Sequence, residues 1–368
     1  ADTVKRREQV RLRPRRRTDK RGTHPAPAFS PHQEGTALSE PSLDVVAIGN
    51  AIVDVISQEQ DAFIAEHGLV KGGMQLVDTA EAELLYGDMS AGLEVSGGSA
   101  ANTLAGMAAL GAKCAFIGQV HDDALGNIFT HDINALGIRY DTAKATDGPP
   151  TARCLIMVTP DAQRTMNTFL GASQFLPPEA LDLDVIRSAR ILYLEGYLWD
   201  PEQPRAAMRD AIAAAREAGR EVAFTLSDAF VIARHGDDFR ALIEDGQIDI
   251  LFSNESEITA LAGTDDVEKA IAKFAKKLST LVVTRSEKGA IAIHKGERHE
   301  VKAAPVDRVL DTTGAGDLFA AGFLAGYVRG KSPTDCLAMG SICAAEIISH
   351  YGARPEADLK ELVGSLLN

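Results

Sequence analysis

Short apolar runs recur along the chain and alternate with amphipathic segments. The strand-like runs are residues 44–49, 115–120, 191–194, 222–226, 248–252 and 281–284. Helical patterns separate most of them, for example at 206–218 and 267–278. Runs that are apolar at consecutive positions are typical of strands buried on both faces. We therefore predict an α/β fold, with a mostly parallel sheet and helices on both faces.

One stretch breaks this alternation. Residues 151–170, TARCLIMVTPDAQRTMNTFL, contain two strand patterns around a Pro-Asp-Ala-Gln turn, with no helix between them. Such a hairpin suits a small β lid over the carboxyl ends of the parallel strands, where α/β proteins bind ligands. Residues 72–77 are candidates for a further lid strand. We therefore assign the lid to segments near 52–80 and 150–171.

The segment DTTGAGDLFAAGF, at 311–323, places a carboxylate before a helix that is apolar nearly all round. Residues 311–313 offer side chains to cap this helix, and Gly314-Ala315-Gly316 leaves the backbone amides almost uncovered. The pattern indicates an anion cradle followed by Asp317. The alternative for a lone Asp is that it only complements the helix dipole.

Two other segments have polar residues at element junctions. In GGSAAN, at 97–102, two glycines permit close approach of a ligand, Ser99 can cap a helix over 103–110, and Asn102 presents a donor and an acceptor. The alternative is an ordinary Gly-Gly-Ser turn. Asn254 and Glu257 follow the strand at 248–252 and suit Mg²⁺ held largely through its waters, or equally a helix start.

The segment TRSEKG, from Thr284 to Gly289, has the composition of a hairpin turn and is also a candidate nucleotide contact.

Other well-known motifs are missing from the sequence. The chain contains no G-x-x-x-x-G-K-[ST], no G-x-G-x-x-G and no G-x-S-x-G, and its histidines show no metal-ligand spacing. Taken together, the remaining elements fit phosphoryl transfer, which needs positioning, charge neutralisation and a base near a hydroxyl.

Composition narrows the possible classes of protein. The chain has 368 residues, of which 45% are hydrophobic, enough for one large α/β domain. Its net charge is −14, yet residues 1–24 carry ten Lys/Arg against three acidic residues, so the remainder carries −21. An acidic body argues against nucleic-acid binding. We predict that residues 1–42 form a disordered basic tail and that 43–368 form the domain.

The cysteines are not arranged as C-x-x-C pairs. They lie in apolar patterns at Cys114, Cys154, Cys336 and Cys343, which predicts reduced core thiols. No long uninterrupted apolar span or signal-peptide pattern is present. These features predict a cytoplasmic protein that does not bind membranes.

On these motifs the chain resembles the ribokinase-like (PfkB) family of carbohydrate and nucleoside kinases, over residues 44–360. GGSAANTLAGMAALG with AFIGQVHDDALGNIF resembles the family's N-terminal signature, DTTGAGDLFAAGF resembles the C-terminal one, and NESE stands at the N-x-x-E position. Within the family, GNAIVDV, GGMQLVD, RTMNTFLGA, LSDAF and LFSNESE are most similar to adenosine kinases.

The resemblance implies a role for each matching residue. Asp54 and Asn102 would bind ribose hydroxyls against Gly97 and Gly98, and Asn50, Gln75 and Ser99 would complete this pocket. Asp317 would be the catalytic base, with the amides of Gly314, Ala315 and Gly316 as anion hole and Arg164 near the phosphates. Thr284, Gly289, Gly314 and Gly316 would contact ATP, and Asn254 and Glu257 would hold Mg²⁺. Phe169, Tyr197 and Trp199 are candidates for the base slot, and Asp311, Thr313 and Gly352 match the potassium region of potassium-activated members.

The resemblance therefore implies a monomeric or homodimeric kinase that uses ATP and Mg²⁺ to phosphorylate the 5′-hydroxyl of adenosine, giving AMP. A ribokinase, fructokinase or inosine/guanosine kinase of the same family is the nearest alternative. A non-catalytic nucleoside sensor is an alternative of another class. The segment EGYLWD, at 195–200, departs from the usual adenosine-kinase pattern and leaves the choice of base open.

Overall fold

The computed structural model describes residues 40–161 and 163–367. Its strands are β1 (Leu43–Ile48), β2 (Ile52–Gln58), β3 (Met74–Leu76), β4 (Leu93–Gly97), β5 (Cys114–Ile117), β6 (Arg139–Tyr140), β7 (Ala152–Val158), β8 (Arg164–Phe169), β9 (Ala189–Glu195), β10 (Glu221–Thr225), β11 (Ile250–Asn254), β12 (Thr280–Thr284), β13 (Ala290–His294) and β14 (Glu297–Val301). The predicted tail lies outside the described residues as far as position 39.

The α-helices cover both faces of the larger sheet or lie beside the smaller one. They are α1 (Asp61–Glu66), α2 (Thr79–Asp88), α3 (Ser99–Ala109), α4 (Ala124–Ala135), α5 (Leu183–Ser188), α6 (Glu202–Glu217), α7 (Ala229–Glu244), α8 (Glu255–Ala262), α9 (Val267–Phe274), α10 (Ala315–Tyr327), α11 (Pro333–Ile347) and α12 (Leu359–Val363).

The larger sheet has the strand order β14-β13-β12-β11-β10-β9-β1-β5-β6. In this order, every neighbouring pair between β12 and β6 is parallel, whereas the pairs β12–β13 and β13–β14 are antiparallel. The carboxyl ends of the parallel strands therefore meet at one edge. This arrangement confirms the predicted α/β fold.

Strand β1 is apolar at consecutive positions because both of its faces are buried. Val45 and Ala47 belong to the core beneath α3, α4, α10 and α11, whereas Val46 and Ile48 belong to the core beneath α5 to α9. Because successive side chains of a strand point to opposite faces, a strand with helices on both sides needs apolar residues at every position. Each fully buried Val or Ile side chain contributes about 1.5–3 kcal/mol.

The smaller sheet has the order β3-β8-β7-β2-β4. Strands β7 and β8 pair antiparallel, as expected for a hairpin, and β3 lies beside β8. The sequence pattern missed β4, because LEVSG is short and partly polar. Strand β2 pairs with β4 on one side and β7 on the other.

Several boundaries differ from the sequence pattern. Helix α10 begins at Ala315 and α3 at Ser99, earlier than their apolar stretches suggest, because the first amides of a helix need no apolar partner. The strand expected at 248–252 extends to Asn254, and the strand expected at 115–120 ends at Ile117.

The four cysteines are free and buried, as predicted. Burial raises the pKa of the Cys154, Cys336 and Cys343 thiols to about 12. Among the described helices, none combines the length and apolar character required to cross a membrane.

Candidate active site

A cleft of about 440 Å³ lies at the edge where the parallel strands end. Its walls include Thr225, Asn254 and Thr284, the last residues of β10, β11 and β12, together with the first turns of α3 and α10. Small-molecule sites typically occupy about 300–1,000 Å³. The predicted site residues that line the cleft are Asp54, Gly98, Ser99, Asn102, Asn254, Glu257, Thr284, Gly314, Ala315, Gly316 and Asp317.

Asp317 lies in the first turn of α10 and is hydrogen-bonded to α3. Its Oδ1 accepts from Ser99 Oγ at 2.6 Å, and its Oδ2 accepts from Asn102 Nδ2 at 3.1 Å. Burial raises the pKa of Asp317, while these two hydrogen bonds and the positive charge of Arg354 oppose the rise. The carboxylate is thus held in a fixed position and is more basic than an exposed Asp.

The start of α10 is shaped by glycine rather than by a capping side chain. Gly314 is the N-cap residue, with a φ of 77°, and no side chain accepts from the first turn. The expectation that residues 311–313 cap the helix was therefore wrong for this turn. The Ala315 amide donates to the Thr312 carbonyl at 3.2 Å. The first amides of a helix remain a place where anions bind.

The two glycines before α3 are required by the protein itself. A Cβ on Gly97 would lie 2.6 Å from the Asp54 carboxyl group. Gly98 has a φ of 97°, and its Cβ would lie 2.1 Å from the Asn50 carbonyl oxygen. Ser99 is the first residue of α3 and does not cap it, so its hydroxyl is free to donate to Asp317.

Asp54 lies on β2, beside these glycines, and lines the cleft. Burial, with a smaller contribution from the neighbouring Asp317, raises its pKa to about 6 against the lowering effect of Arg354 and Arg164. At neutral pH the carboxylate is mostly ionised and can accept hydrogen bonds from hydroxyl groups.

Asn254 and Glu257 form a capping box at the start of α8. Asn254 Oδ1 accepts from the Glu257 amide at 2.8 Å, and Glu257 Oε2 accepts from the Asn254 amide at 3.0 Å. Both residues line the cleft, and burial raises the pKa of Glu257 to about 7. No group of three or more metal-ligating side chains occurs in residues 40–161 and 163–367. Glu257 Oε1 also accepts from Asn254 Nδ2 at 2.7 Å, so both carboxylate oxygens are hydrogen-bonded, and the pair suits a Mg²⁺ ion that is held mainly by water and phosphate oxygens.

Comparison with known proteins identifies the family. A model described as pfkB family carbohydrate kinase matches residues 74–359. The chain belongs to this family.

Similar solved structures cover nearly the whole domain. A probable sugar kinase from Rhizobium etli CFN 42 is 46% identical with a TM-score of 0.80, and the match covers 87% of this chain and 97% of that one. An adenosine kinase from Sinorhizobium meliloti is 45% identical with a TM-score of 0.79, covering 87% and 98%. Among curated proteins, a fructokinase from Klebsiella pneumoniae is 27% identical over 305 residues, 79% of this chain and 98% of that protein. The ribokinase-like fold and kinase class follow, with the use of ATP and a divalent metal that is general in this family.

Asn50 of this pfkB-family kinase does not line the cleft. Its amide and Nδ2 donate to Glu195 Oε1 at 2.8 and 2.6 Å, and its Oδ1 accepts from Ser173 Oγ at 2.8 Å. Glu195 also accepts from the Ala100 amide at 2.8 Å. Asn50 therefore joins the end of β1 to β9 and to the segment after β8, and Glu195 in turn connects this point to α3.

Arg164 is also not among the residues that line the cleft. It forms a buried ion pair with Asp311, in the loop before α10. Asp311 Oδ1 accepts from the amide and hydroxyl of Thr313, and Oδ2 accepts from the Gly352 amide at 3.2 Å. The structure brings the predicted potassium-site residues together, but both carboxylate oxygens are already engaged.

Three further residues that were predicted to contact the acceptor or ATP are not among those that line the cleft. Gln75 lies on β3, opposite Asn167. Gly97 ends β4 and makes room for Asp54. Gly289 lies in the turn between β12 and β13, where a Cβ would lie 2.0 Å from the Val301 carbonyl oxygen. The conformation of the turn therefore accounts for this glycine.

The three aromatic candidates have different surroundings. Trp199 is completely buried, packs edge-on against Phe224 and Phe239, and donates to Asp238 at 2.9 Å, so it is a core residue. Phe169 is likewise buried, in the small core of the smaller sheet. Tyr197 lines the cleft, where Phe252 and Phe319 also lie.

Sequence analysis missed Arg354 and Glu195. Arg354 Nη1 donates to Asn102 Oδ1 at 2.6 Å, and Glu195 receives the hydrogen bonds described above. A charged residue at the end of an apolar strand, as in LYLEG, was the available signal for Glu195. Arg354, in YGARP, has no comparable local pattern.

Proposed function

We propose that this pfkB-family kinase transfers the γ-phosphoryl group of ATP to the 5′-hydroxyl of adenosine, giving AMP and ADP. The main observation in support is the placement of Asp317 in the cleft, at the start of α10 and hydrogen-bonded to Ser99 and Asn102. A carboxylate there can accept a proton beside a site where the helix terminus favours phosphate.

In the proposed reaction, Asp317 takes the proton from the 5′-hydroxyl as this oxygen bonds to the γ-phosphorus. The bond from that phosphorus to the β–γ bridging oxygen breaks, and ADP leaves. The amides at the start of α10, around Gly314 and Gly316, face the charge of the transferring group. Because they are part of the fold, they need no reorganisation during the reaction.

Glu257 and Asn254 are the residues we propose to hold Mg²⁺. When bound, the ion would neutralise charge on the phosphate oxygens. Potassium binding remains a prediction from the resemblance. Both carboxylate oxygens of Asp311 already have partners in the protein, so they do not fit a potassium ligand in this structure. No step of the reaction is assigned to potassium.

Adenosine is the acceptor best supported by the lining of the cleft. Asp54 and Asn102 offer polar groups for ribose hydroxyls, while Tyr197, Phe252 and Phe319 offer flat apolar surfaces for a base. The similar structure from Sinorhizobium meliloti is described as an adenosine kinase. We further propose a cytoplasmic location, consistent with four free thiols, and a monomer or homodimer.

A sugar kinase is the second candidate, because the chain is also similar to a probable sugar kinase and a fructokinase. A nucleoside sensor is less well supported. A protein that only binds its ligand would not need Asp317, the amides of α10 and Glu257 in one cleft.

The test is ADP release from Mg·ATP, with adenosine, inosine, ribose, fructose or no acceptor. Turnover selective for adenosine supports the proposal. Turnover on a free sugar alone would retain the mechanism and replace the acceptor. Tight binding of adenosine without turnover would favour the sensor.

A further inference from the structure

Arg354 lies in the loop between α11 and α12 and reaches α3, which donates to Asp317, and the neighbouring strand β4. Its Nη1 donates to Asn102 Oδ1 at 2.6 Å, on α3. Its Nη2 donates to the Ser96 carbonyl and, at 2.9 Å, to Ser96 Oγ, on β4. The same loop supports the anion cradle, because a Cβ on Gly314 would lie 3.0 Å from that of Ala353.

The guanidinium determines how the Asn102 amide is oriented. Arg can only donate hydrogen bonds, and an ionised carboxylate can only accept them. The Asn102 oxygen must therefore face Arg354, and its Nδ2 must face Asp317, where it donates to Oδ2 at 3.1 Å. If the amide rotated by half a turn, it would place a donor against a donor and an acceptor against an acceptor.

Arg354 is surrounded by carboxylates. Burial lowers the pKa of Arg354, while Asp54, Asp132 and Asp317 oppose this by favouring its charged form electrostatically. Asp132 is itself fixed by Ser96, accepting from its amide at 2.8 Å and its hydroxyl at 2.5 Å. The chain Asp132–Ser96–Arg354–Asn102–Asp317 thus joins α4, β4, the α11–α12 loop, α3 and α10.

We propose that Arg354 is a positioning residue for phosphoryl transfer: it holds Asn102 in the orientation that donates to Asp317 and supplies a positive charge that favours the ionised form of Asp317. This inference rests on the proposed function only in taking Asp317 as the base. Arg354 need not touch the acceptor or ATP.

The other titratable groups that interact with Asp317 either disfavour its ionised form or carry no charge. Those that interact with it electrostatically are Asp54, Glu195, Tyr193, Tyr197 and Arg354. Negative charge on Asp54 or Glu195 disfavours ionisation of Asp317, and the tyrosines are neutral below their raised pKa values. Positive charge comes from Arg354, which lowers the pKa of Asp317 against the effect of burial.

The direct test is carbon NMR of the full chain, labelled at aspartate carboxyl carbons, with the Asp317 signal identified by its loss in Asp317→Asn. In Arg354→Met we expect the pKa of Asp317 to rise, because the variant loses the positive charge that opposes the effect of burial. Arg354→Lys keeps the charge but not the paired donors, so its shift should be smaller. This measurement needs no knowledge of the acceptor.

Ser96→Ala is the matched control. It removes one hydrogen bond to Arg354 and another to Asp132 but leaves the guanidinium charge, so the protein should lose stability without a shift in the Asp317 titration. An unshifted Asp317 titration in Arg354→Met would overturn the proposal. If Arg354→Met does not fold, Arg354→Lys and Arg354→Gln provide the same comparison.

Turnover supplies the second readout. With the acceptor that the wild type uses, the acidic limb of kcat/KM, which reports the free enzyme, should move to higher pH in Arg354→Met, as the NMR titration of the free protein does. A uniform fall in kcat/KM at every pH, without such movement, would contradict a role through Asp317. Absence of turnover with every acceptor in the wild type would count against the proposed function alone, because the NMR result stands without it.

Discussion

At the scale of single residues, the surroundings of Asp317 explain why an acid lies in front of an apolar helix. Ser99 and Asn102 donate to its two oxygens, and burial raises its pKa. An Asp that only complemented the dipole of α10 would not need two side-chain donors from α3. The contacts suit a base that must be ionised and held in place.

Replacing Asp317 with Asn tests this role. Turnover should fall by about 10²- to 10⁴-fold, the usual contribution of a general base, while acceptor binding by calorimetry changes little. Asp335→Asn is the matched control, because Asp335 is the third residue of α11 as Asp317 is of α10. Equal turnover in Asp317→Asn and the wild type would remove Asp317 as the base.

At the scale of secondary-structure elements, the junction between β4 and α3 positions the acceptor side of the cleft. Gly97 leaves space for the Asp54 carboxyl group, and Gly98 allows the chain to pass the Asn50 carbonyl with a φ of 97°. The turn then delivers Ser99 and Asn102 to Asp317. The glycines thus control side chains on three different elements.

Gly98→Ala should destabilise the protein strongly. A residue with a side chain at positive φ costs about 1–2 kcal/mol, and the new Cβ would also lie 2.1 Å from a backbone oxygen. Gly137→Ala is the control, since Gly137 has a φ of 80° but no atom within 4 Å of its Cβ position. Urea unfolding should show a larger loss for Gly98→Ala; equal losses would mean that the close approach does not matter.

At the scale of the whole molecule, Glu195 joins parts of the chain that are far apart in sequence. It ends β9 and accepts from Asn50, after β1, and from Ala100, in α3. Burial raises its pKa from 4.5 to about 7, although these donors favour the ionised form. The carboxyl group thus links global stability to pH.

The sign of this dependence follows from the raised pKa. The folded protein binds the Glu195 proton more tightly than the unfolded chain, so this contribution is complete below pH 4.5 and disappears as pH rises through about 7. Its size is on the order of 3 kcal/mol. Glu195→Gln cannot titrate, so the stability advantage of the wild type over this variant should shrink between about pH 5 and about pH 8.

Chemical denaturation of both proteins at the two pH values measures this difference. Asp335→Asn again serves as the control for loss of a carboxylate elsewhere in the protein. An advantage that stays constant or grows with pH would contradict a raised pKa for Glu195.

Local sequence was sufficient to predict the fold class and most of the cleft. Apolar runs such as residues 44–49 predict a sheet with helices on both faces. Successive side chains of a strand point to opposite faces, so a run of neighbouring apolar residues is enough to show that both faces are buried. Gly314-Ala315-Gly316 with Asp317, and Gly97-Gly98 with Asn102, could be predicted because each is a short motif at a helix start.

Folding adds the contacts between these motifs, which no local pattern contains. Arg354 meets Asn102 across 252 positions, and Glu195 meets Asn50 across 145. Trp199 is two residues from Tyr197, which lines the cleft, yet it lies in the core, because the turn after β9 directs it toward Phe224 and Phe239. Propensity and spacing act over a few residues, whereas the order of strands in the sheet determines which distant side chains meet.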